Sequence, residues 1–206
     1  MIRYYSIGAA AFVAALLGFL GYLILTDRGG DRYAQCRETA IAGGAASVGG
    51  PFELVDHTGR IVTDADVITE PALIYFGYTF CPDVCPLDVA RNALAVELLE
   101  ERGYELQPVF ISVDPKRDTP EVLAEFTGIF HPRMIGLTGS DAQVRDVARA
   151  YRAFFNVHDA EDDFYLVDHS TFSYLVFPGE GFIEVFRRGE SAPDMADRLA
   201  CFLDRR

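Results

Sequence analysis

Two cysteines in the segment Cys81-Pro82-Asp83-Val84-Cys85-Pro86 follow directly on the apolar run Ala72-Leu73-Ile74-Tyr75-Phe76-Gly77. Thiolates are both nucleophiles and soft-metal ligands, so the pair has two chemistries open to it. The apolar run predicts a buried strand, and Pro86 is suited to the first position of a helix, where its missing N–H costs nothing. That places Cys85 at the helix N-cap and Cys81 one turn upstream, where the helix dipole favours thiolate over thiol. A helical turn between them separates the Cα atoms by about 6 Å, which suits either a disulfide or convergence on one metal ion. Two ordinary buried cysteines are the bland alternative, weakened by the flanking prolines and the strand-turn-helix setting.

The elements that must position these thiols can be read around them. Phe52–Val55 and Ile61–Val62 flank the turn Asp56-His57-Thr58-Gly59 and predict an N-terminal hairpin. The strand Ala72–Tyr78 leads through the cysteine turn to a helix from about Pro86 to Arg102, stopped by Gly103. Val109–Val113 is a second apolar strand, and Thr119-Pro120 opens a helix with Val122, Leu123, Phe126 and Ile129 on one face. Met134–Leu137 reads as a short strand. Ser140 and Gln143 form a capping box for a helix whose spacing runs through Val144, Val147, Ala148, Tyr151 and Phe155. After an acidic loop, Asp159 to Asp163, come the hairpin Phe172–Phe177 and Phe182–Phe186 and a last helix opened by Ser191. The order β-α-β-α-β-α-β-β-α describes an α/β, thioredoxin-like sandwich with an N-terminal β-hairpin extension and an inserted helix.

On that topology the four histidines separate. His57 lies in a turn and His131 beside Pro132 at a helix end, where capping or solvation accounts for it. His158 sits in the acidic loop, a weaker ligand candidate. His169, in Val167-Asp168-His169-Ser170, precedes the strand that approaches the cysteine turn and is the best candidate for a third ligand on topology, a satisfied loop histidine being the alternative. Of its neighbours, Asp168 points the other way on a strand. Asp83, between the cysteines, reads as a turn residue; both are candidates to support the ligands from behind. Tyr75, Phe76, Tyr78 and Phe80 read as core and a dry shell round the sulfurs.

The remaining chain is organised simply. Ile7 to Thr26 is uncharged and apolar, and at about 1.5 Å per residue it spans the ~30 Å core of a bilayer. No small-x-small cleavage site follows, so an uncleaved anchor is expected, with a cleaved signal peptide as the lesser option. Arg3 on the amino-terminal side places that end in the cytoplasm and the rest outside. The expected division is residues 1–26 as tail and transmembrane anchor, 27–50 as a glycine-rich flexible tether, and 51–206 as the folded domain. Beyond the anchor lie 31 acidic and 17 basic residues, a net −14 that argues against nucleic acid and anionic lipid and suits a cation or basic protein. Cys36 in the tether and Cys201 in the last helix are expected to pair in an oxidising compartment, intermolecular pairing or free thiols being the alternatives.

Three separated motifs sharpen this reading: Tyr75-Phe76-Gly77-Tyr78-Thr79-Phe80-Cys81-Pro82-Asp83-Val84-Cys85-Pro86, Ser112-Val113-Asp114-Pro115-Lys116-Arg117-Asp118-Thr119-Pro120, and Val167-Asp168-His169-Ser170. In this order, from about Gly50 to the C-terminus, the chain resembles the SCO/SenC family of membrane-anchored copper chaperones of cytochrome c oxidase assembly. The resemblance implies copper ligation by Cys81, Cys85 and His169, and a copper-bearing oxidase subunit and other copper carriers as partners. It makes Asp114, Arg117 and Asp118 a loop motif of the family, read as a loop-locking salt bridge with a partner contact as the alternative. It also implies a non-enzymatic metallochaperone in the bacterial inner membrane with its domain in the periplasm. Thiolates select Cu(I), and an imidazole keeps Cu(II) bound as well. A Cys81–Cys85 disulfide would abolish binding, which makes the pair redox-active. The competing reading is a membrane-tethered thiol-disulfide oxidoreductase, or a copper- or redox-sensing module, using the same cysteines. Thioredoxins, however, use a CxxC spacing and a proline where His169-Ser170-Thr171 stands here.

Overall fold

The structure, a computed structural model, describes residues 8, 12–22, 31–38, 47–158 and 164–206. It divides into two compact units, Met1–Gln35 and Cys36–Arg206. In the first, residues 12–22 are helical, with Phe12, Leu16, Leu17 and Phe19 exposed. No helix among the described residues is long and apolar enough to cross a membrane, and the two ends of the expected anchor lie outside them. The acidic loop 159–163 also lies outside the described residues.

The second unit is built on a seven-stranded sheet. Its elements are β1 (Glu53–Asp56), β2 (Ile61–Thr63), α1 (Asp64–Val67), β3 (Ala72–Gly77), α2 (Val84–Glu100), β4 (Gln107–Ser112) and α3 (Pro120–Phe130). They continue with β5 (Ile135–Thr138), α4 (Asp141–Ala150), β6 (Phe155–Val157), β7 (Val167–His169), β8 (Ser173–Phe177), β9 (Gly181–Phe186) and α5 (Ala192–Leu203). The strand order is β2-β1-β5-β4-β3-β8-β9, while β6 and β7 pair only with each other. Strands β3, β4 and β5 are parallel, joined through α2 and α3; β1 and β8 flank them antiparallel. This is the mixed α/β, thioredoxin-like arrangement.

Side-chain alternation makes two cores of one sheet. Phe76 and Tyr174 turn to the face that Tyr151, just past α4, covers, with ring centroids 5.6–5.7 Å apart. Tyr75 and Phe110 turn to the opposite face, where Phe126 of α3 stacks on Phe110 at 5.0 Å. Helices α2 and α5 pack on one another. β3 is buried along its whole length, as a strand with neighbours on both edges and helices on both faces must be.

Three expectations are corrected. Helix α2 begins at Val84 with Asp83 as N-cap, so Cys85 lies inside the first turn and not at the cap. The first-turn N–H groups have no intrahelical acceptor, which is why Pro86 is tolerated at the third position as readily as at the first. Helix α4 ends at Ala150 because Arg152 takes a left-handed backbone, φ 53°, and Phe155 leaves the helical stripe to pair with His169 across the β6–β7 ribbon. Ile129 is 73% exposed; Leu123 and Thr127 carry the buried face of α3, with Phe126 and Phe130 half-buried beside them. Of the two roles open to His131 the structure takes the cap: it is buried at the end of α3, and its Nδ1 accepts the Arg133 N–H at 3.2 Å.

Candidate metal centre

The thiols are positioned by the end of β3 and the start of α2. Gly77 closes the strand where a Cβ would meet the Cys85 sulfur at 3.0 Å and the Tyr75 and Phe110 rings at 2.9 and 3.0 Å. Only glycine lets the backbone pass so near the sulfur. Beyond it, the Asp118 carboxylate accepts from the Thr79 N–H (3.1 Å) and hydroxyl (2.6 Å) and from the Ser112 hydroxyl (2.6 Å). The turn then closes with the Cys81 N–H donating to the Tyr78 carbonyl at 3.3 Å. Cys85 is fully buried and Cys81 half-exposed, so the pair has one open side.

His169 arrives from β7. Its Nε2 lies 3.1 Å from the Cys85 Sγ, and its Nδ1 lies 2.9 Å from the Ser170 carbonyl. A carbonyl only accepts, so Nδ1 carries a proton and Nε2, which faces the sulfurs, is the ring atom available as a metal ligand. Tyr75 and Tyr78 hold the imidazole by their ring edges, at 6.1 and 5.8 Å and near-perpendicular. Tyr75 is itself tied by its hydroxyl to the buried Asp88 at 2.9 Å. The donor atoms of Cys81, Cys85 and His169 all lie within 4.8 Å of one another, a group able to hold a metal ion.

The electrostatics are asymmetric. The Cys85 thiol hydrogen-bonds the Cys81 sulfur and, despite burial, Cys81 is brought down to about 3, with His169 and the N–H groups of Cys85 and Asp83 adding to the effect. The Cys85 N–H donates to that same sulfur at 3.3 Å. Cys85 moves the other way, because its proton is held in the hydrogen bond to Cys81, burial disfavours a charge there, and ionising it would put a second charge beside the first. Burial likewise raises Asp88 in spite of the Tyr75 hydrogen bond, and raises Tyr78 to about 12. One thiolate and one thiol therefore face each other beside the imidazole.

The remaining candidates lie elsewhere. Asp83 is exposed at the N-cap with no side-chain cap bond. Asp168 points away from the sulfurs and pairs with His158, 2.6 Å from its Nε2; this is where the structure puts both residues. His57 accepts the Gly136 N–H at 3.1 Å. Cys36 and Cys201 are joined in a disulfide, Cα atoms 5.7 Å apart, across 165 residues of sequence. The support behind the site comes from residues that spacing did not reveal: Asp88, three positions after Cys85, and Tyr165, whose hydroxyl donates to Asp114 at 2.5 Å. A carboxylate on the inward side of α2, among Cys85, Val89, Ala93 and Val96, is the one signal in the sequence that points to Asp88.

A thioredoxin-like sheet that brings two thiols and an imidazole together at a strand-to-helix turn defines a thiol-imidazole centre for a soft metal or for redox exchange. Comparison with known proteins gives the family. The SCO1/SenC model matches residues 41–204. Protein SenC of Rhodobacter capsulatus is 48% identical over 199 residues, covering 97% of this chain and 90% of that protein. The crystal structure of Arabidopsis thaliana ScoI with copper bound superposes with TM-score 0.74 at 38% identity, covering 77% of this chain and 99% of that one. Yeast Sco1 with copper bound gives TM-score 0.70 at 37% identity over 77% and 89% of the two chains. The chain belongs to the SCO1/SenC family.

Proposed function

We propose that the protein is a copper-binding assembly factor: it holds one copper ion through Cys81, Cys85 and His169 and passes it to the dinuclear copper centre of cytochrome c oxidase. The observation that carries the reading is the convergence of two sulfurs and an imidazole Nε2 within 4.8 Å, with no carboxylate among them. That donor set suits copper in both oxidation states: thiolates for Cu(I), the imidazole for Cu(II). A closed structural zinc site takes a fourth ligand, which this group does not supply. Copper-bound structures of the Arabidopsis and yeast relatives support the same assignment.

The residues divide the work. Cys81 is already a thiolate and half-exposed, so it makes the first contact with incoming metal and the last with departing metal. Cys85 yields its proton only when metal replaces it, so loading releases a proton and weakens as pH falls. His169 holds its Nε2 toward the sulfurs through the Nδ1–H to Ser170. Three donors leave a side open on which a partner's ligand can enter before these leave. The protein is in this reading a carrier and not an enzyme, held by its N-terminal apolar segment in the bacterial inner membrane with the domain in the periplasm.

A second reading has one observation in its favour. A depressed thiol beside a buried one is the arrangement of a nucleophilic and a resolving cysteine, which a thiol-disulfide reductase of the oxidase cysteines would use. The test is to mix copper-loaded protein with the metal-free, reduced copper domain of the oxidase subunit. Stoichiometric appearance of the dinuclear copper spectrum supports delivery. Reduction of an oxidised copper domain with no metal transferred contradicts it.

A further inference from the structure

His169 is not placed by the main sheet. Its strand, β7, pairs only with β6, and the seven-stranded sheet resumes at Ser173, opposite Tyr75. The histidine thus has a sheet anchor downstream and needs another upstream. The turn after β4 supplies it. Arg117 donates from Nη1 to the Tyr165 carbonyl at 3.0 Å, and its guanidinium lies 3.6 Å from the Tyr165 ring centroid. Asp114 takes both the Arg117 Nε and the Tyr165 hydroxyl at 2.5 Å. The same guanidinium lies over Phe80 at 4.8 Å, the residue before Cys81, and over Tyr78 at 5.6 Å. Tyr78 in turn receives the Val167 N–H at 3.4 Å and edges the His169 ring. Asp118 of the same turn fixes Thr79. One short turn therefore grips the cysteine loop with one arm and the strand of the histidine with the other, and Arg117 belongs to both arms.

Resting on the copper reading above, we infer that Arg117 is a positioning residue for copper(II): it holds β7 so that the His169 Nε2 stays beside the two sulfurs. A guanidinium does this where an ammonium cannot, because the planar fork bonds a carboxylate and a carbonyl at once while stacking on a ring. The two oxidation states feel the loss differently. The sulfurs that hold Cu(I) sit on the β3–α2 turn, which the Asp118–Thr79 hydrogen bonds hold whether or not Arg117 is present, whereas the imidazole that Cu(II) requires is fixed through Arg117.

The experiment uses full-length reduced protein in detergent, as wild type, Arg117→Lys, Tyr165→Phe and His169→Ala, with Arg117→Lys/His169→Ala as the double variant. Outer partners of metal-bound histidines typically affect affinity about 10–100-fold. Arg117→Lys is expected to lose that much Cu(II) affinity while its Cu(I) affinity stays within about twofold. Adding it to His169→Ala is expected to cost nothing further, since both changes remove one interaction. In the metal-free protein, the His169 ring nitrogen resonances should shift toward solvent-averaged values in Arg117→Lys. Tyr165→Phe, which keeps the ring and the carbonyl, should give a smaller change in the same direction and decides the matter if Arg117→Lys does not fold. Unchanged Cu(II) affinity in a folded variant, or a loss additive with His169→Ala, overturns the inference. If wild type bound no copper while the nitrogen shifts still moved, the copper reading would fall and the positioning of His169 would stand.

Discussion

At the scale of single residues, the site depends on keeping Cys81 and Cys85 different. The same hydrogen bond lowers one thiol to about 3 and raises the other. A pKa lowered below the ordinary thiol range means that the thiolate persists as pH falls. The rate of Cys81 alkylation in reduced, metal-free protein is therefore expected to be flat from pH 5 to 8, with Cys85 protected. Mass mapping of iodoacetamide adducts over that range checks it; a tenfold fall in rate per pH unit would contradict the assignment. Cys85→Ala removes the hydrogen-bond donor and should restore part of that slope. The reactive types themselves were legible in the sequence, because a thiol pair after a buried strand and a histidine before another are local signals. Their supports were legible only in part. The Arg117–Asp114 pair could be read as a loop lock, three residues apart, but Asp88, Tyr165 and the far arm of Arg117 act through partners 13 to 51 residues away, and no spacing rule predicts which side chains the fold will bring behind a ligand.

Among the elements, the strand-to-helix turn after β3 has the least room. Gly77 is flanked by the Cys85 sulfur and two aromatic rings within 3.0 Å of where a Cβ would stand. Gly77→Ala is expected to push Cys85 off its place beside His169. It should destabilise the domain by about 1–3 kcal/mol, read by denaturant unfolding, and weaken copper binding more than an alanine elsewhere in β3. Retained stability and full copper affinity would show that the turn has slack. The strand and the helix that carry the thiols follow from the apolar run 72–77 and from the helical segment that Gly103 stops, both strong signals in a sequence. The β6–β7 ribbon that carries His169 is different. Phe155 continues the helical period of Val144, Val147 and Tyr151, and only the left-handed backbone at Arg152, a residue type that does not announce such a turn, breaks it. The start of α2 shows the same limit, since a proline marks the first turn of a helix without fixing its position in that turn.

At the scale of the whole molecule, the Cys36–Cys201 bridge ties the start of the domain to its last helix. It brings with it Arg37, which donates to the Ile183 carbonyl and lies 3.9 Å from the buried Glu184 carboxylate. Opening the bridge restores freedom to a 165-residue loop and loosens the partner of a buried charge. Cys36→Ser with Cys201→Ser is expected to cost about 2–4 kcal/mol in denaturant unfolding without changing copper stoichiometry; no loss of stability would remove the bridge from the account. An acidic surface, net −14 beyond the apolar N-terminal segment, suits a domain that meets cations and basic partners. The central claim remains that Cys81, Cys85 and His169 hold one copper ion. Anaerobic Cu(II) titration of reduced full-length protein, followed by its thiolate-to-copper absorption and by electron paramagnetic resonance, measures it most directly. Wild type is expected to saturate at one equivalent with both sulfur and imidazole-nitrogen signatures, and His169→Ala to lose the nitrogen signature and bind more weakly. A His169→Ala protein with the spectrum and affinity of wild type would contradict the account.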